Sequence, residues 1–136
     1  MEYKNKVVWD KEKEGMAEWR EKAKLRIGAP PEFQGSEKVV SPEELFIAAV
    51  NACIMTTFLY FSEKLEVGLV SYESNGFGKV EKNEKGYIFT NVIIKPIIAA
   101  KNIEKAMKAL RLAEKYCLVS RSISANIEIK PEVRGE

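Results

Sequence analysis

The sequence contains no histidine. That single absence removes Ser-His and Cys-His nucleophile pairs, imidazole metal ligands and imidazole acid–base catalysis. Cysteine is scarce too, with only Cys53 and Cys117, too few for a four-ligand zinc site. No charge of one sign dominates: 22 Lys and Arg face 20 Asp and Glu, a net charge of +2. The two signs are interleaved, so no basic block exists to neutralise a nucleic-acid backbone or an anionic membrane surface. Neither partner is expected. Internal repeats and low-complexity linkers are missing as well. MEYKNKVVWD runs straight into charged, alternating residues with no leader pattern, and the expectation is a cytoplasmic protein. Any unusual chemistry must come from thiols, carboxylates, Lys, Arg or Tyr.

What is present fits one α+β domain over residues 1–136, long enough to bury a sizeable core. YKNKVVW at 3–9 reads as a strand. In KAKLRIG, Ala23, Leu25 and Ile27 alternate with Lys22, Lys24 and Arg26, the pattern of a half-buried antiparallel strand. APPEFQGSEK is a loop. After the apolar stretch treated below, GLVSYESNGFGKVEKN and GYIFTNVIIKPII read as two long strands, with Gly76 and Gly78 suggesting a bulge. Asn102 then caps a helix whose apolar stripe runs Ile103, Ala106, Met107, Leu110, Ala113 and Cys117. A short turn, LVSRS, leads to a last strand, ISANIEIK, closed by Pro131.

The longest apolar stretch is SPEELFIAAVNACIMTTFLYF, Ser41 to Phe61. Ser41 suits an N-cap, Pro42 the first helical position, and Glu44 completes a capping box. The predicted helix runs to about Lys64. Its uncharged core from Leu45 is at the lower edge of what spans a bilayer, but Asn51, two threonines and the well-formed start favour a buried helix of a soluble protein. Apolar residues fall on every side of it, so one sheet on one face cannot bury it. Either several elements wrap it or a second copy packs on it, and a homodimer is expected.

Cys53 lies inside this helix. Cysteine behaves most often as a small buried hydrophobe, with a raised pKa and little reactivity, and both cysteines here fall on core-facing helical positions. A reactive Cys53 needs a cation to stabilise its thiolate and a group to orient that cation. Glu43, ten positions earlier, reads equally as an ordinary first-turn acid or as the group that orients such a cation. Ten residues of helix span about 15 Å, too far for one guanidinium to bridge. A Glu43 that serves a thiol therefore serves the Cys53 of a partner subunit.

The residues S-P-E-E-L-F-x-A-A-x-x-A-C, with AEKYCLVSRSI further on, resemble the OsmC/Ohr family of thiol-dependent peroxidases, at the first and second cysteine segments. PPEFQG and GFGKVEKNEKGYIFTNVIIKP resemble it at lower specificity. The resemblance implies an intertwined homodimer, with long central helices wrapped by antiparallel sheets and active sites at the subunit interface. It implies reduction of organic hydroperoxides, and of hydrogen peroxide, with Cys53 peroxidatic, Cys117 resolving and an external dithiol as reductant. Neither a metal nor an organic cofactor is called for. The family's thiolate-stabilising arginine comes from the N-terminal strands or the loop before the helix, where this chain holds Phe33. Arg20 is the first choice for that role, Arg26 the second and Arg121 a further one. A second reading stays open: a non-enzymatic dimer of the same architecture, binding a small apolar ligand at its interface.

Overall fold

Alternation in the N-terminal region produces a three-stranded antiparallel meander in the computed structural model, which describes residues 1–136. Its strands are β1 (Lys6–Lys11), β2 (Glu14–Trp19) and β3 (Ala23–Gly28), in spatial order β1-β2-β3. The predicted first strand is thus displaced toward the C-terminus, and all of β1 is exposed, including Val7, Val8 and Trp9. Across the meander, Arg26 of β3 reaches Asp10 of β1 at 2.6 Å and Glu14 of β2 at 3.3 Å. The chain forms two compact units, Met1–Phe46 and Ile47–Glu136.

The long helix α1 (Pro42–Lys64) begins and ends where the sequence predicts. Its capping box is complete. Ser41 Oγ accepts from the Glu44 N–H at 3.1 Å, and Glu44 Oε1 accepts from the Ser41 N–H at 3.0 Å. Within the chain the helix buries only one stripe, Val50, Ile54, Phe58 and Ser62, at the i, i+4 spacing of a single face. Ala48, Ala49, Ala52, Leu59 and Tyr60 stay exposed. The chain alone does not wrap this helix. By length and composition α1 also suits a membrane span, but its buried stripe is a sheet-packing face: the Phe58 ring meets Tyr72 with centroids 5.3 Å apart.

The second unit is built on a long hairpin, β4 (Leu69–Asn83) with β5 (Gly86–Ala100). The strands β6 (Asn126–Ile129) and β7 (Glu132–Gly135) flank β5 on its other side, both parallel to it. This sheet is therefore mixed where a wholly antiparallel one was expected, and β7 was missed because Pro131 was read as the end of the last strand. Pro131 instead separates β6 from β7, opposite the gap in their ladder at Lys95 and Pro96. Val92, Ile94, Pro96 and Ile98 alternate inward on β5. The helix α2 (Ile103–Tyr116) packs on β5 and β7 through Ala106, Ala109, Leu110 and Ala113. Ile103, assigned to the stripe from spacing, is exposed, and Ala109 takes its share of the packing. Asn102 Oδ1 accepts from the Lys105 N–H at 3.0 Å, the predicted cap. LVSR, expected as a turn, forms a four-residue helix, α3 (Leu118–Arg121).

Gly76 and Gly78 do not form the bulge. Both pair regularly, with Ile94 and Val92, and the register shifts fall at Leu69/Ser71 and Lys79/Val80. The glycines answer to α1 instead. A Cβ on Gly78 would collide with Ile47 Cδ1 and lie 2.6 Å from Phe89 Cε1, and one on Gly76 would lie 2.9 Å from Ile47 Cγ2. G78A should cost about 1–3 kcal/mol of unfolding free energy in a urea titration, and less in an I47A background. Equal losses in both backgrounds would show that Ile47 is not the obstruction.

Candidate functional site

One face of α1 carries Cys53, Thr57 and Phe61 at successive turns, and each meets a group that sequence spacing alone does not place. The Phe61 ring packs on Tyr116, the last residue of α2, with centroids 5.7 Å apart. This contact ties the end of α2 to α1. The next residue, Cys117, forms the corner between α2 and α3. Its N–H donates to Ala113 O at 2.9 Å, and its sulfur accepts from the Ser120 N–H at 3.5 Å as the α3 cap. The Ser120 hydroxyl donates to Cys117 O at 3.3 Å. Cys117 is fully buried.

The corner delivers its groups to Cys53, which is half-buried, and both thiols are free. Burial pushes the Cys53 thiol up. The Cys117 thiol, the Val119 N–H, the Thr57 hydroxyl and the Leu118 N–H all donate toward its sulfur and together outweigh burial, holding it below the ordinary thiol value. The partner thiol moves the other way. Burial pushes Cys117 up, its hydrogen bond to Cys53 adds to that, and Ser120 offsets only part. The pair is therefore polarised, with Cys53 the sulfur that ionises first and Cys117 a protonated donor beside it. A low-pKa, partly accessible thiol with a second thiol in contact has the makings of a redox pair.

The other sequence candidates are placed as follows. Glu43 lies in the first turn of α1, and its Oε1 is buried with no hydrogen-bond partner in the chain. Arg20 is exposed in the turn between β2 and β3, at a φ of 51°. Arg26 is engaged by Asp10 and Glu14. Arg121 ends α3, exposed. Arg26 is thus committed to its own sheet, while Arg20 and Arg121 make no ion pair. No three His, Cys, Asp or Glu side chains converge into a metal-binding group.

Sequence reasoning missed the donors around Cys53. Thr57 stands one helical turn after Cys53, a signal that was available. The Leu118 and Val119 amides were not legible, because main-chain groups carry no sequence signature and LVSR was read as a turn.

Comparison with known proteins gives the chain its relatives. A family model described as OsmC-like protein matches residues 35–132. The uncharacterized protein YmaD of Bacillus subtilis is 27% identical over 114 residues, covering 78% of this chain and 75% of YmaD. An OsmC-like protein of unknown function from Vibrio cholerae superposes with a TM-score of 0.87 at 24% identity, covering 96% of this chain and 99% of that one. An organic hydroperoxide resistance protein, OsmC, from Legionella pneumophila gives a TM-score of 0.77 at 22% identity, with 97% of each chain covered. At these identities the solved structures establish the α+β fold.

Proposed function

The chain belongs to the OsmC-like protein family, and from that premise we propose that it is a thiol peroxidase reducing organic hydroperoxides. The observation that carries this reading is the contact between a half-exposed, low-pKa Cys53 and a buried, high-pKa Cys117. The relatives named for organic hydroperoxide resistance lend it further support.

The Cys53 thiolate attacks the terminal oxygen of the hydroperoxide and breaks the O–O bond. The alkoxide takes a proton and leaves as the alcohol, and the sulfur, oxidised by two electrons, becomes a sulfenic acid. Cys117 then attacks that sulfur, closing a Cys53–Cys117 disulfide and releasing water. An external dithiol returns both to thiols, so the cycle needs neither metal nor organic cofactor. A dithiol reductant is in keeping with a reducing cytoplasm.

The working unit in this reading is a homodimer. The exposed apolar face of α1 at Ala48, Ala52 and Leu59 supplies the surface for a second copy. The unpartnered buried Glu43 Oε1 supplies a carboxylate that still seeks a donor. Arg20, with no ion pair of its own, is assigned as that donor, held by Glu43 near the Cys53 of the partner.

The test is stoichiometric. One equivalent of cumene hydroperoxide added to the reduced protein should yield a Cys53–Cys117 disulfide on peptide mapping. If both thiols survive, the peroxidase reading fails and apolar-ligand binding takes its place.

A further inference from the structure

We propose that Thr57 is a catalytic residue, a permanent hydrogen-bond donor to the Cys53 thiolate. The inference rests on the peroxidase reading and adds to it a residue that the motif does not include.

Thr57 Oγ1 lies 3.9 Å from Cys53 Sγ, within the range of a hydrogen bond to sulfur. A threonine inside a helix ordinarily turns its hydroxyl back to a carbonyl of the preceding turn. Its neighbour Thr56 does so, donating to Cys53 O at 3.2 Å. Thr57 makes no such bond, and the Cys53 sulfur is the one partner of its hydroxyl. The direction of the bond follows from the chemistry. While Cys53 is a thiol either atom can donate, but a thiolate carries no hydrogen, so ionisation turns Thr57 into the donor. Thr57 and Cys53 are both half-buried.

Among the groups around Cys53, Thr57 has a distinct place. The Cys117 thiol also donates, yet it gives up its hydrogen when the disulfide closes, so its contribution ends within each turnover. Leu118 and Val119 donate from the backbone of the same corner, which must shift as Cys117 moves to bond Cys53. Thr57 sits on α1 with Cys53 itself and is unchanged by the chemistry. Of the donors its own chain supplies to Cys53, it is the one side chain that persists through the cycle.

The experiment measures the pH midpoint of Cys53 alkylation by iodoacetamide in the full-length reduced protein, read by mass spectrometry of the Cys53 peptide. T57V removes the hydroxyl and keeps the branched shape. Its midpoint should rise by up to about one unit, lowering the Cys53 alkylation rate below the midpoint by roughly threefold to tenfold. T57S, which restores the hydroxyl, should return the rate to within about twofold of the parent, and T56V should leave the midpoint in place. A T57V midpoint equal to the parent's, or a T57S midpoint as high as that of T57V, overturns the proposal. If T57V does not fold, T57A against T57S gives the same comparison. Alkylation needs no peroxide, so a parent protein that fails to consume hydroperoxide counts against the peroxidase reading alone, while the midpoints still judge Thr57.

Discussion

C53S is expected to abolish hydroperoxide consumption, a loss of at least about a thousandfold in kcat/KM. The environment makes the loss this large. The donors converging on position 53 lower a thiol's pKa, but they cannot bring an alcohol near ionisation at neutral pH. Cys117 cannot take over, since it is fully buried and its thiol is pushed up by that burial and by its bond to Cys53. C117S separates the two halves of the cycle. Serine retains an oxygen that can cap α3 through the Ser120 N–H, now held by sulfur at 3.5 Å, so the corner should persist. The first equivalent of hydroperoxide should then be consumed at close to the parental rate. The sulfenic acid on Cys53 should accumulate, react with a dimedone-type probe and advance to sulfinic acid under excess peroxide. A C117S protein that cycles at the parental rate with a dithiol would remove the resolving role. A C53S protein that still consumes hydroperoxide would remove the mechanism.

The fold was most legible where local chemistry decides it. Ser41, Pro42 and Glu44 set the start of α1, and Asn102 set the start of α2, because a cap is a contact between residues three apart. Period-two alternation placed β3. Legibility failed where long-range partners decide. Nothing in ISANIEIK states that it pairs parallel to β5, and Pro131 marks a break between two strands as readily as an end. Gly76 and Gly78 looked like bulge residues because their obstruction, Ile47, lies about thirty positions away. The site divides along the same line. Cys53, Cys117 and Glu43 stood out by motif, but the polarity of the thiol pair depends on the Leu118 and Val119 amides, which exist as donors only because LVSR closes a helical turn.

Mixing two crippled proteins should recover activity that neither has alone, if Glu43 serves the partner's thiol. E43Q keeps Cys53 and removes the carboxylate that holds the arginine. On the scale of one charge-assisted hydrogen bond, it should lose roughly tenfold to a hundredfold in kcat/KM. C53S keeps Glu43 and has no nucleophile. Unfolded together and refolded in equal amounts, the two pair at random, so about half of the dimers are mixed. In a mixed dimer one site joins Glu43 of the C53S chain to Cys53 of the E43Q chain, and the other site lacks both. Activity should therefore approach about a quarter of the parental value, well above either parent variant. Helix geometry is the reason to expect the partner's thiol. Glu43 and Cys53 lie on one continuous helix, Pro42–Lys64, so their separation along its axis is fixed near 15 Å. No side-chain rearrangement brings them to a shared guanidinium within one chain. If Glu43 acted within its own subunit, every mixed dimer would hold one site without a thiol and one without a carboxylate, and mixing would gain nothing. Recovery near a quarter supports the intersubunit site, and activity no better than the average of the two variants overturns it.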